Sequence, residues 1–96
     1  MSLKVPQWVL EETSEETIIL DWSTAVALRK MQEYARQAEI YKRKHNLPFE
    51  TFEQQVLSNE REDLQQWDDY VIWKGLHLAT EKWRKRYEEL RAWTRS

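Results

Sequence analysis

This chain has no cysteine, and only one glycine and two prolines among its 96 residues. Without cysteine there is no disulfide staple and no thiolate metal site, and the composition fits a reducing compartment. So little glycine and proline argues against a sandwich or barrel, which needs many tight turns. No apolar run approaches the roughly 18 residues of a membrane span and the N-terminus has no secretory pattern, so a cytoplasmic location without membrane contact is expected. His45 and His77 are the only imidazoles, with no His-x-x-x-His spacing, no Ser/His/Asp arrangement and no Gly-rich phosphate loop. The sequence therefore leads us to expect no metal, no cofactor and no enzymatic activity.

What is present is helix. The stretch from Asn59 to Trp93 runs for about nine turns without a proline and carries four of the six tryptophans, Trp67, Trp73, Trp83 and Trp93. On a helical wheel its apolar residues form two sets, Leu64, Trp67, Val71 and Leu78 on one face, and Ile72, Leu76, Trp83, Tyr87 and Leu90 on another, roughly 120° round. From Ser23 to His45 a second amphipathic helix is predicted, with Leu28, Met31, Ala35, Ala38 and His45 recurring at helical spacing between Tyr34 and Tyr41. Lys42-Arg43-Lys44 suits its negative pole, and Asn46 suits a left-handed stop. Pro48 then opens a short helix carrying Phe49, Phe52, Val56 and Leu57, and Asn59 with Glu62 reads as a capping box for the long helix.

The N-terminal residues 1–22 form an arm whose conformation stays open. Ser14 can cap a helix with an acidic first turn, while Thr17-Ile18-Ile19-Leu20 is a β-branched run that suits a short strand. Residues 23–96 form the domain proper. Net charge is −2 but comes in blocks: −4 over 1–21, +4 over 22–45, −6 over 46–71 and +4 over 72–96. Only an antiparallel pairing of 23–45 with 59–93 sets basic 42–45 beside acidic 60–69 and acidic 11–21 beside basic 82–91. Such pairs are individually worth only ~0.2–1 kcal/mol, so they select an orientation more than they add stability. The fold class expected is all-α, an antiparallel helical hairpin with a short corner helix, completed by dimerisation or by a partner chain.

In this arrangement Ala35 and Ala38 would receive Trp67 and Val71, and Gly75 would allow close approach of the two helices. The second face, Ile72, Trp73, Leu76, Trp83, Tyr87 and Leu90, would then be free to bind a partner, since tryptophan and tyrosine concentrate interface energy. Asp68 and Asp69 point about 100° apart on a helix and form a solvated acidic patch in place of a paired-carboxylate site. Lys82, Arg84, Lys85 and Arg86 around Trp83 and Tyr87 mimic a nucleic-acid patch, but Glu88, Glu89 and the net negative charge oppose it, which leaves nucleic-acid binding as a weak alternative.

Two segments, Tyr41-Lys-Arg-Lys-His-Asn46-Leu-Pro-Phe49-Glu-Thr-Phe52-Glu and Glu62-Asp-Leu-Gln-Gln-Trp67-Asp-Asp-Tyr-Val-Ile-Trp73, resemble small helical proteins of archaea and cyanobacteria. These are taken as the antitoxin-like members of toxin–antitoxin gene pairs. The resemblance spans about residues 28–93. Asn46 stands where those proteins prefer glycine, and Lys74-Gly75 replaces their usual Glu-Ala. The resemblance implies a non-enzymatic protein that docks on and neutralises a small toxin, an RNase. The other class open to the chain is a self-assembling helical-bundle protein, two copies of which close a four-helix bundle.

Overall fold

In the computed structural model, which describes residues 6–58 and 63–95, the described residues form four helices and no strand. They are α1 (Gln7–Glu12), α2 (Glu15–His45), α3 (Phe49–Ser58) and α4 (Leu64–Arg95). The two long helices pack against each other and α3 fills the corner between them, which is the hairpin expected. Tyr41 stacks with Trp73 (ring centroids 6.3 Å apart), Lys30 lies over Trp83 (5.3 Å), and Trp22 lines the same groove as Trp93. Positions that rise along α2 therefore meet positions that fall along α4, and the helices are antiparallel. The charge blocks meet as expected at the corner, where Lys44 Nζ and His45 Nε2 lie 2.7 and 2.8 Å from Oδ2 of Asp69.

Each helix boundary has a local chemical cause. The Ser14 hydroxyl accepts the Thr17 N–H (3.1 Å) and Glu15 and Glu16 occupy the first turn, so the β-branched run enters α2 and forms no strand. The helix continues unbroken past position 22, where the arm was divided from the domain. Asn46 ends α2 in the left-handed conformation (φ 55, ψ 40), its N–H donating to the Lys42 carbonyl at 2.8 Å. Pro48 sits just before α3, its carbonyl accepting the Phe52 N–H. α4 starts later than expected: Asp63 stands outside it and its carboxylate accepts the Gln66 N–H (3.1 Å), the role foreseen for Asn59. The expected Asn59–Glu62 capping box lies outside the described residues.

The core sits at the corner. Phe49, Phe52, Tyr70 and Trp73 are buried together, with Ala38, Tyr41, Leu47 and Val56 packed round them. His45 stacks on Phe52 (4.2 Å) and His77 on Phe49 (4.4 Å), so both imidazoles serve as flat core-edge groups. Two expectations are corrected here. Trp67 is 48% exposed and Leu64, Val71 and Leu78 are also exposed, so the face expected to meet α2 points to solvent; Ala35 is likewise exposed. The reason is length: that stripe stops at Leu78 and gives way to Lys82 and Lys85, whereas the other continues to Leu90. Only the longer stripe can cover an α2 that starts at Glu15. For the same reason Gly75 does not face α2, and a Cβ built there meets nothing within 4 Å.

The molecule is extended, 64 × 25 × 22 Å, with a radius of gyration of 19.3 Å where a compact domain of this length has roughly 12–13 Å. It exposes 7752 Å², against roughly 5,900 Å² for a compact protein of its mass.

Candidate protein-docking site

The six residues expected to form a partner face are divided by the structure. Trp73 is only 2% exposed and belongs to the corner core, so it is withdrawn from any docking surface of the folded chain. Ile72 is exposed. Leu76, Trp83, Tyr87 and Leu90 are half-buried on the side of α4 that faces α2. Sequence periodicity grouped these residues correctly as one stripe, but that stripe mainly closes the hairpin.

Where the stripe reaches the open end of the hairpin it runs out of α2 to cover it. Trp22, Val26, Trp83, Arg86, Leu90 and Trp93 there line an open groove of about 430 Å³. Trp22 and Trp93 are each 66% exposed. Trp83 forms the floor, and cations surround its ring: Arg86 at 4.6 Å, Lys30 at 5.3 Å and Lys82 at 5.9 Å. Further along, Arg91 lies over Tyr87 at 5.6 Å. Cations held over aromatic faces gain ~0.5–1 kcal/mol each at exposed sites. The groove is thus apolar at its centre, with Arg86 and Glu89 both on its lining and the Lys30 and Lys82 cations close to the Trp83 ring. Arg84 is committed to Glu81, whose carboxyl it holds below the usual value, so it adds less to the charge there.

Trp22, Val26 and Trp93 were not placed on the partner face by sequence, although Trp93 was counted among the tryptophans of the long helix. The available signal was the pairing register, since the offset that sets Tyr41 against Trp73 and Lys30 against Trp83 also sets Trp22 level with Trp93. That offset could not be read while the wrong face of α4 was turned toward α2.

The polar cluster at the corner is the other arrangement with chemical character. Asp69 is 8% exposed, which corrects its reading as part of a solvated patch; Asp68 remains exposed. The Asp69 carboxylate accepts hydrogen bonds from Lys44 and His45, and these, the Lys44 bond first, hold its carboxyl below the ordinary value against the opposing effect of burial. Close by, the Tyr70 hydroxyl donates to Glu53 (2.7 Å) and Lys74 donates to Tyr70 (3.2 Å), which raises Lys74. An Asp–His pair orients a general base only when a nucleophile or substrate proton lies within reach. Here Nε2 of His45 bonds Asp69 and the ring packs on Phe52 and beside Trp73, so the cluster ties the corner together. Among the described residues no group of three or more acidic, His or Cys side chains could hold a metal ion, and no helix is long and apolar enough to cross a membrane.

Fold and groove together define a helical hairpin with a buried aromatic corner and an open aromatic end. No family model, no curated protein and no solved structure matches the chain.

Proposed function

We propose that the chain is a non-enzymatic protein-binding module of the antitoxin-like kind, which docks on a small RNase toxin through the open aromatic groove. The observation that carries this reading is the pair Trp22 and Trp93, two-thirds exposed on either side of Trp83 within a ring of cations. Exposed tryptophans at adjacent sites seldom persist in a monomer unless a partner covers them, and Trp with Arg is the combination that dominates interface energy. The groove and its cations state what the partner must offer: an apolar ridge for the groove and carboxylates for Arg86, Lys82 and Lys30. A nuclease that holds its metal ions with carboxylates presents such a surface at its active cleft, and covering it would silence it.

The test is to titrate the purified chain into the product of the neighbouring gene and follow cleavage of a labelled RNA. Stoichiometric inhibition is expected, with Trp93→Ala weakening it at least thirtyfold, the usual effect of removing a central interface tryptophan. Full nuclease activity at saturating chain would refute the reading. The cations round Trp83 also keep nucleic acid as a second reading, and a salt-dependent shift of RNA by the chain alone would favour it.

A further inference from the structure

The back of α4, roughly 120° round from its α2-facing stripe, carries the exposed stripe Leu64, Trp67, Val71 and Leu78. Gly75 lies on this same back. It is the only glycine of the chain, it stands in the middle of a 32-residue helix, and nothing in the folded chain comes within 4 Å of where its Cβ would be. Glycine at such a place disfavours the helix about two- to fivefold relative to alanine. No turn, positive φ or internal neighbour accounts for it. What a bare backbone on an exposed, apolar helix face permits is close approach by another helix.

We infer that this face is closed by a second copy of the chain, with the two α4 helices crossing antiparallel at Gly75 around a two-fold axis. Charge along the stripe selects this occupant and this direction. Asp63 and Asp68 flank its N-terminal half, and Lys82 and Lys85 its C-terminal half. With the axis beside Gly75, Val71 faces Leu78 of the second copy, Asp68 faces its Lys82, and Leu64 lies along the aliphatic stem of its Lys85. Each contact occurs twice by symmetry. A parallel pairing would also bring the glycines together, but it would set acid against acid and base against base. The exposed surface exceeds that of a compact protein of this mass by roughly 1,800 Å², about twice the share each partner of a standard interface buries. The resulting assembly is a four-helix array with the two α4 helices at its centre and an α2 on the outside of each.

The experiment is sedimentation equilibrium of the full chain over about 1–100 µM, the range of interfaces of this size. Twice the 11.8 kDa chain mass is expected. Gly75→Leu should raise the dimer dissociation constant at least about tenfold with helical circular dichroism kept or increased, because the added side chain meets nothing in the monomer. Asp68→Lys alone should weaken the dimer about three- to tenfold, and Asp68→Lys with Lys82→Asp should restore it. A monomer across the whole range, a dimer indifferent to Gly75→Leu, or a double swap that fails to restore association would each overturn the inference. Gly75→Leu and Asp68→Lys change no residue of the groove, so with these two variants inhibition of the RNase stays a separate question, whereas Lys82→Asp also removes a cation beside Trp83.

Discussion

The two ends of the hairpin use the same residue types for opposite purposes. At the corner, Phe49, Phe52, Tyr70 and Trp73 turn inward, and the polar groups beside them include the pairs Tyr70 with Glu53, and His45 and Lys44 with Asp69. At the open end, Trp22, Trp83 and Trp93 surround a groove, and among the described residues there only Ala27 is buried. The difference comes from the number of elements. Three helices meet at the corner and can enclose a ring on all sides; two helices meet at the open end and cannot. The fold is therefore held from the corner, and the rings of Trp22 and Trp93 at the open end stay largely exposed.

The sharpest way to break that comparison is to truncate one tryptophan at each end. Trp73→Ala should cost about 3–5 kcal/mol, since it empties a site in contact with Tyr41, His45, Phe49 and Phe52. For a chain of this size that approaches the whole folding free energy, and loss of the cooperative urea transition is the expected readout. Trp22→Ala and Trp93→Ala should each shift stability by no more than about 0.5 kcal/mol while weakening the partner by about 2 kcal/mol or more. If the groove variants unfold the chain and Trp73→Ala does not, the assignment of roles to the ends is reversed.

The polar shell of the corner gives a pH-dependent version of the same contrast. The carboxyl of Asp69 is held below its ordinary value by Lys44 and His45, so its folded form prefers to be ionised. A depressed carboxyl contributes stability that is present above its unfolded value of 3.8 and is lost as pH falls through the lower folded value. Asp69→Asn should cost about 1–2 kcal/mol at pH 7, where charge-assisted bonds are replaced by neutral ones. Urea melts of the two proteins should converge as pH falls below about 4. A difference that stays constant down to pH 2 would show that the side chain acts by shape alone.

Much of this architecture was legible before any coordinates. The two long helices, the short helix after the corner at Asn46-Leu47-Pro48 and the antiparallel direction follow from caps, a left-handed stop and charge blocks, which are local or additive signals; α1 lay in the arm whose conformation was open. The face of α4 turned to α2 was not legible, because both stripes satisfy helical periodicity equally well near Trp67 and Val71. What separates them is length, and length mattered only once residues 15–22 were known to extend α2. The groove was missed for the same reason, since Trp22 lay in an arm with no assigned conformation. Asp69 was read as solvated because adjacent acids on a helix usually are; its burial depends on which way α4 is turned.

The smallest expected effect is at Asn46, and it probes the hinge between the two ends' supporting helices. Asn46 is the only described non-glycine residue with positive φ, and its N–H already closes the last turn of α2 on Lys42. Asparagine tolerates this conformation better than most residues but still with some strain, which glycine would remove. Glycine would also gain freedom in the unfolded chain, worth about 0.5–1 kcal/mol against folding. The two effects oppose one another, so Asn46→Gly should fall within about 0.5 kcal/mol of the parent in urea melts. Asn46→Ala keeps the strain and loses the tolerance, and should cost about 1 kcal/mol. If Asn46→Gly costs more than Asn46→Ala, the asparagine side chain itself secures the corner, and the stop would owe its stability to that group and not to the backbone conformation.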